Sequence, residues 1–201
     1  MIASLLPSLA DFFYDYKWNG AFSIVSLQIA EEEHHKFKEE ECFMDDKTKK
    51  KALRLFTYGL YAISCADEGE VNIFTANWLT QISFEPPLLA LSVENDSKSL
   101  PMIQRSRKFT VNVLQSGQRD LAGQLGKSAT FHPEKLNGIE YTLGANGCPI
   151  LSTALAWVAC EVRHSVETGD STLFVAEVVD VDVSGEGQPL TMKEAGFRHA
   201  G

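Results

Sequence analysis

Short stretches of alternating apolar and polar residues recur along this chain, and only a few segments between them carry helical spacing. LYAISC (60–65) alternates as a half-buried strand does, ADEG (66–69) supplies turn residues, and Val71 to Phe74 reads as the next strand. Further strands are predicted at 88–93, 109–114, 155–164 and 172–183, with helices at 98–106 and 117–125. In MDDKTKKKALRLFTYGL, Asp45 and Asp46 stand where a helix N-terminus favours negative charge, and Leu53, Phe56 and Leu60 follow at helical spacing. Strands dominate without the regular strand–helix alternation of a doubly wound sheet. The pattern predicts a mainly β fold with helical insertions, an antiparallel barrel that protects its own strand edges.

One stretch does not fit a plain barrel wall. In FTANWLTQISFEPPLLALSV (74–93), Thr75, Asn77, Gln81 and Ser83 interrupt two apolar runs just ahead of Pro86 and Pro87. Strand alternation would put Thr75 and Asn77 on one side and Ala76 and Trp78 on the other. A carboxamide and a hydroxyl can each donate and accept, which suits the rim of a planar heterocycle. The same groups serve equally well as turn caps, and the residues alone leave both readings open. Farther on, Ser97, Lys98 and Ser99 open the helix predicted at 98–106, with Arg105 one to two turns later. Free amides, hydroxyls and a cation in that arrangement make a phosphate site, although Asp and Ser also cap helices that bind nothing.

Composition narrows the function classes. The 201 residues fit one domain plus a short extra segment, and the net charge of −9 argues against a nucleic-acid partner. The basic stretches KTKKK (47–51) and RSRK (105–108) read as solvated helix ends. No apolar run approaches the roughly 18 residues of a membrane span, so no membrane partner is expected. Cys42, Cys65, Cys148 and Cys160 form no metal-ligand rhythm, and with no basic leader at the N-terminus a reducing, cytoplasmic setting is the expectation. Residues 1–43 carry three lysines against eight carboxylates, more than half of the net charge, and read as an acidic extension ahead of a domain at 44–201. His34 and His35, near Cys42, are not assigned as metal ligands, because adjacent helical side chains diverge by about 100°. Nucleophile-elbow, zinc-protease, P-loop and Rossmann motifs are all missing.

Five segments in order carry a resemblance: ALRLFTYGLYAIS (52–64), T-A-N at 75–77 with S-F-E-P-P at 83–87, FTVNVL (109–114), Gly147 to Pro149, and TGDSTLFVAEVV (168–179). Together they make the chain, from about Met44 to Gly201, similar to the flavin reductase-like family of FMN-binding split barrels. The resemblance implies a six-stranded antiparallel split barrel, a homodimer, and FMN in a groove between subunits. Thr75, Ala76, Asn77 and Trp78 would line the isoalloxazine, Ser83 would lie near the ribityl or phosphate end, and Ser97, Lys98 and Ser99 would hold the phosphate. The implied activity takes electrons from NAD(P)H through flavin to free flavin, a ferric complex or a partner protein. A flavin does this chemistry itself, so no catalytic triad is required. Two positions depart from the family: Ser171 stands where a histidine is common, and Ala176 where a glycine is. The loss of that imidazole keeps open an alternative, a non-enzymatic FMN-binding electron carrier. His199 stands where a tyrosine is frequent.

Overall fold

The computed structural model describes residues 44–198; the expectations for the acidic segment 1–43 and for His199 lie outside the described residues. A short helix, α1 (Asp46–Leu53), leads into a strand pair, β1 (Tyr61–Asp67) and β2 (Glu70–Ala76), joined by a turn at Glu68 and Gly69 that both adopt positive φ. β3 (Leu79–Ser83) and β4 (Leu88–Glu94) follow, then α2 (Ser99–Ser106), β5 (Lys108–Val113) and α3 (Arg119–Leu125). A 3-10 turn (Pro133–Leu136) precedes the small pair β6 (Tyr141–Leu143) and β7 (Pro149–Leu151). The chain closes with a long hairpin, β8 (Ala156–Thr168) and β9 (Ser171–Val183), and a single helical turn, α4 (Met192–Ala195).

The principal sheet has seven antiparallel strands in the order β2-β1-β5-β8-β9-β4-β3. Its two edge strands, β2 and β3, are neighbours in sequence, separated only by Asn77 and Trp78. The three residue steps from Ala76 to Leu79 span at most about 10–11 Å, so the sheet must curl until its edges approach. No ladder joins those edges, and the barrel is therefore split there.

The count differs from the six strands implied by the resemblance, because β3 is a strand of its own. Thr80, Gln81 and Ile82 are all exposed, so β3 lacks the buried alternation by which a strand is recognised in sequence. The helix predicted through Leu60 stops at Leu53. Beyond it Leu55 and Phe56 are exposed, while Leu60 is buried in extended chain, its N–H bonded to the Leu190 carbonyl at 2.9 Å. Helical spacing there was a coincidence of apolar positions.

Two cores flank the sheet. Phe109, Phe174, Ile63 and Leu91 pack inside the barrel with Met102 and Ile103 of α2, each large side chain contributing about 1.5–3 kcal/mol through burial. Ala62 and Ile73 join a second cluster with Leu114, Leu125 and Leu190 beneath α3 and α4. Adjacent residues Ala62 and Ile63 thus serve opposite faces, as the two-residue period of a strand requires. Asn112 of β5 ties the small pair to the sheet: its Oδ1 accepts from Leu151 N at 2.8 Å and its Nδ2 donates to the Ala62 carbonyl.

Candidate functional site

The split leaves a cavity of about 500 Å³ where the two cores meet, a size within the usual range for small-molecule sites. From the barrel core come Phe74, Ala76 and Val93; from the second cluster come Leu60, Ala122 and Met192. Ser92 and Glu94 at the end of β4, with Ser97 beyond them, add a polar side. Phe197 and Arg198 close it from the C-terminal segment.

Each wall is held by identifiable bonds. Thr75 Oγ1 donates to the Ala122 carbonyl at 2.6 Å, setting β2 against α3. At Gly126 an added Cβ would come within 3.2 Å of the Ala122 carbonyl and 3.7 Å of Thr75 Cβ, so the missing side chain allows this close approach. The C-terminal segment is anchored through Glu194, whose Oε1 accepts from Ser116 Oγ at 2.7 Å and Gly117 N at 2.8 Å, while Thr191 Oγ1 caps α4 by accepting from Glu194 N. Arg119 Nε donates to the Ala195 carbonyl at 2.7 Å, and its guanidinium lies 5.6 Å from the Phe197 ring centroid. Phe197 and Arg198 are thereby carried to the cavity.

Of the residues singled out in the sequence, Thr75, Ala76, Asn77, Trp78 and Ser97 line this cavity. Alternation had assigned the first four to two faces. The chain leaves the strand after Ala76, and the irregular backbone at Asn77 and Trp78 turns all four to one space. Trp78 keeps this bend attached to β4, its carbonyl accepting from Ser92 N at 3.0 Å. Asn77 is the telling residue. Its Nδ2 is buried without a hydrogen-bond partner, a condition no other buried side-chain nitrogen or oxygen shares among the described residues. Such a group costs about 1–3 kcal/mol unless a partner arrives.

The remaining expectations are placed elsewhere. Ser83, at the end of β3, does not line the cavity. Lys98 Nζ is 3.2 Å from Glu70 Oε2. Ser99 is buried and its Oγ accepts from Asn72 Nδ2 at 2.8 Å. Only Ser97 of that trio reaches the cavity, and its Oγ already accepts from Leu100 N at 3.2 Å. Ser171 is buried at the first position of β9, opposite Glu94, with its hydroxyl donating to Asp170 Oδ1 at 3.1 Å. Sequence reasoning missed Arg198 and Phe197 altogether; only the polar–aromatic run after Gly196 hinted at them. The described cysteines offer no competing chemistry: burial pushes the Cys65 and Cys160 thiols up to about 12 and Cys148 to about 11, so all three stay protonated near neutral pH.

A polar bend with an unmatched amide, set in the split of an antiparallel barrel, is a place for a planar ligand with hydrogen-bonding edges. The model for the flavin reductase like domain matches residues 53–201. The chain belongs to that family. It is 29% identical over 155 residues to a flavin reductase from Pseudomonas putida, covering 77% of this chain and 89% of that protein. It is 31% identical over 136 residues to the NADH-dependent flavin reductase StyB of Pseudomonas fluorescens, covering 67% of this chain and 77% of the relative. The solved structure of the flavin reductase PheA2 superposes with a TM-score of 0.65 at 32% identity, over 74% of this chain and 93% of the other. Two further curated relatives are longer, and the chain spans 45% of one and 62% of the other.

The split-barrel expectation is thus met, and the chain is a flavin-dependent reductase of this family. The carrier alternative is the less favoured, since the named relatives are reductases. Among the described residues no helix is long and apolar enough to cross a membrane.

Proposed function

We propose that the cavity holds FMN, that NAD(P)H reduces it, and that the electrons pass to free flavin, a ferric complex or a partner protein. The observation that carries this reading is the unpartnered, buried Asn77 Nδ2 on the cavity wall: a flavin edge offers the acceptor it lacks. The bound flavin supplies the electron transfer itself. The chain's residues bind, orient and shield. Asn77 donates to the ring edge, and Thr75, whose proton is engaged by Ala122, keeps its lone pairs for a ligand donor. Ala76, Trp78 and Phe197 supply apolar surface that excludes water, and Arg198 supplies the cation for the phosphate in place of Lys98, which is drawn to Glu70.

The homodimer belongs to the same proposal. Val181 and Val183, at alternate positions of β9, and Ile82 and Phe84 near β3 are exposed apolar groups that a second subunit would cover. In such a pair Ser83 could face the partner's flavin. The domain at 44–201 would act as the flavin-binding unit, with the segment 1–43 an accessory extension, and the protein would work in the cytoplasm.

The experiment is a titration of the purified protein with FMN, followed by anaerobic addition of NADH or NADPH. Binding with loss of the oxidised flavin absorbance on adding either nucleotide is the expected result. Binding without bleaching by either would return the carrier, and no binding would remove the proposal.

A further inference from the structure

Lys135 is a buried cation, 4% exposed, in the 3-10 turn Pro133–Leu136. Its ammonium is met by two backbone carbonyls rather than by a carboxylate: Nζ donates to the Leu125 and Lys127 carbonyls, each at 3.0 Å. The Leu125 carbonyl ends α3 and that of Lys127 lies in the turn just beyond its Gly126 cap, where unsatisfied acceptors and the negative end of the helix dipole favour a cation. The tie is reciprocal, because Gln124 Nε2 donates back to the Lys135 carbonyl at 2.8 Å and the Asn137 carbonyl at 3.2 Å. Gly126 sits between the two residues that Lys135 holds, its N–H bonded to the Ala122 carbonyl at 2.9 Å. That same carbonyl receives Thr75 Oγ1.

We propose that Lys135 is a positioning residue for the flavin cavity, fixing the end of α3 so that Ala122 and Gly126 hold Thr75 and the adjoining bend in place to receive the ring. The inference rests on the flavin reading of the cavity. A purely stabilising role explains the residue poorly. Burial pushes its ammonium down to about 8, with Lys98 adding in the same direction and Cys65 opposing. The folded state therefore binds this proton more weakly than the unfolded chain. Between about 8 and the ordinary lysine value of 10.5, this group's contribution to stability rises with pH. At neutral pH the charge opposes folding, a cost consistent with a residue retained to order a site. The charged groups around the depression that Lys135 shares are Arg119, Asp120, Lys127 and Glu134.

The test is FMN titration of the full chain by flavin fluorescence, from pH 7 to 9, for the unaltered protein, Lys135→Met and Lys135→Arg, with melting temperatures alongside. Lys135→Met should weaken FMN binding about tenfold, with the melting temperature showing that the variant is folded at the temperature of the titration. In the unaltered chain affinity should fall severalfold above pH 8, as charge-assisted bonds to the two carbonyls become neutral ones of roughly half the strength. Lys135→Arg should keep the affinity at pH 7 and lose that fall, since arginine does not titrate there. Equal FMN affinity for Lys135→Met and the unaltered chain overturns the inference, as does a Lys135→Arg profile that still falls above pH 8. If the unaltered chain binds no FMN, the flavin reading itself fails and the inference with it.

Discussion

In the bend between β2 and β3 the Asn77 amide keeps a buried Nδ2 with no partner, whereas at the start of α2 the Ser99 hydroxyl is taken by Asn72 and the Lys98 ammonium by Glu70. Both stretches are short, polar and flanked by apolar runs, and both suit a ligand by residue type. They differ in what the fold leaves over. In the bend the backbone abandons the ladder, and side chains that would have faced opposite ways converge on one space with hydrogen-bonding capacity to spare. At the helix start the backbone is regular, and the neighbouring strand β2 presents Asn72 and Glu70 at a distance that consumes the available groups. A residue's chemistry nominates it as a ligand contact; on the proposed reading, unmet capacity at a cavity wall is what selects it.

The largest effect should come from removing that capacity. Asn77→Ala should weaken FMN binding by about 1–3 kcal/mol, roughly five- to 150-fold, because on the proposed reading the ring acceptor would be left unpaired. The same change should leave the flavin-free protein as stable or slightly more so, since it deletes an unsatisfied buried donor. Opposite signs in the two titrations, FMN affinity and thermal unfolding, distinguish a ligand contact from a turn cap. A cap would lose stability and keep its affinity.

Ser99→Ala reverses the pattern. Its Oγ accepts from Asn72 Nδ2 in the interior, so the variant leaves a buried donor alone and should lose about 1–2 kcal/mol of stability by denaturant unfolding. FMN affinity should stay within about twofold. A clear loss of affinity at unchanged stability would restore Ser99 to the phosphate and erase the contrast between the two stretches.

This contrast marks the limit of what the chain discloses unfolded. The strands at 61–67, 88–94, 108–113 and the long hairpin are legible because their core apolar residues recur at every second position, as Leu91 and Val93, Phe109 and Val111, and Phe174 and Ala176 do, and α2 because Leu100, Met102 and Ile103 bury one face. β3 is not, since an edge strand with three successive exposed residues carries no such imprint. Nor are β6 and β7, three residues each, or the one-turn helix α4. Thr75 and Asn77 were singled out by residue type, Ala76 and Trp78 through the family resemblance; the convergence of the four on one cavity was not foreseen, because it depends on a break in the strand that alternation assumes away. Arg198 and Phe197 escaped notice because they reach the cavity through Glu194 and Arg119, bonds between segments some 75 residues apart.

Lys98 offers the smallest and most pointed test. Its side chain and that of Glu70 are both substantially exposed, 44% and 68%, and an exposed pair of this kind is worth about 0–1 kcal/mol. Lys98→Ala should therefore change unfolding free energy by less than about 1 kcal/mol and leave the ratio of FMN to riboflavin affinity within about twofold. Riboflavin lacks the phosphate, so this ratio reads only what the phosphate contributes. Arg198→Ala, measured in parallel, should lower the ratio. Should the two substitutions exchange outcomes, Glu70 would be a resting partner that Lys98 leaves when the phosphate arrives, and polar groups at the helix start would have to be counted as available despite their partners in the flavin-free fold.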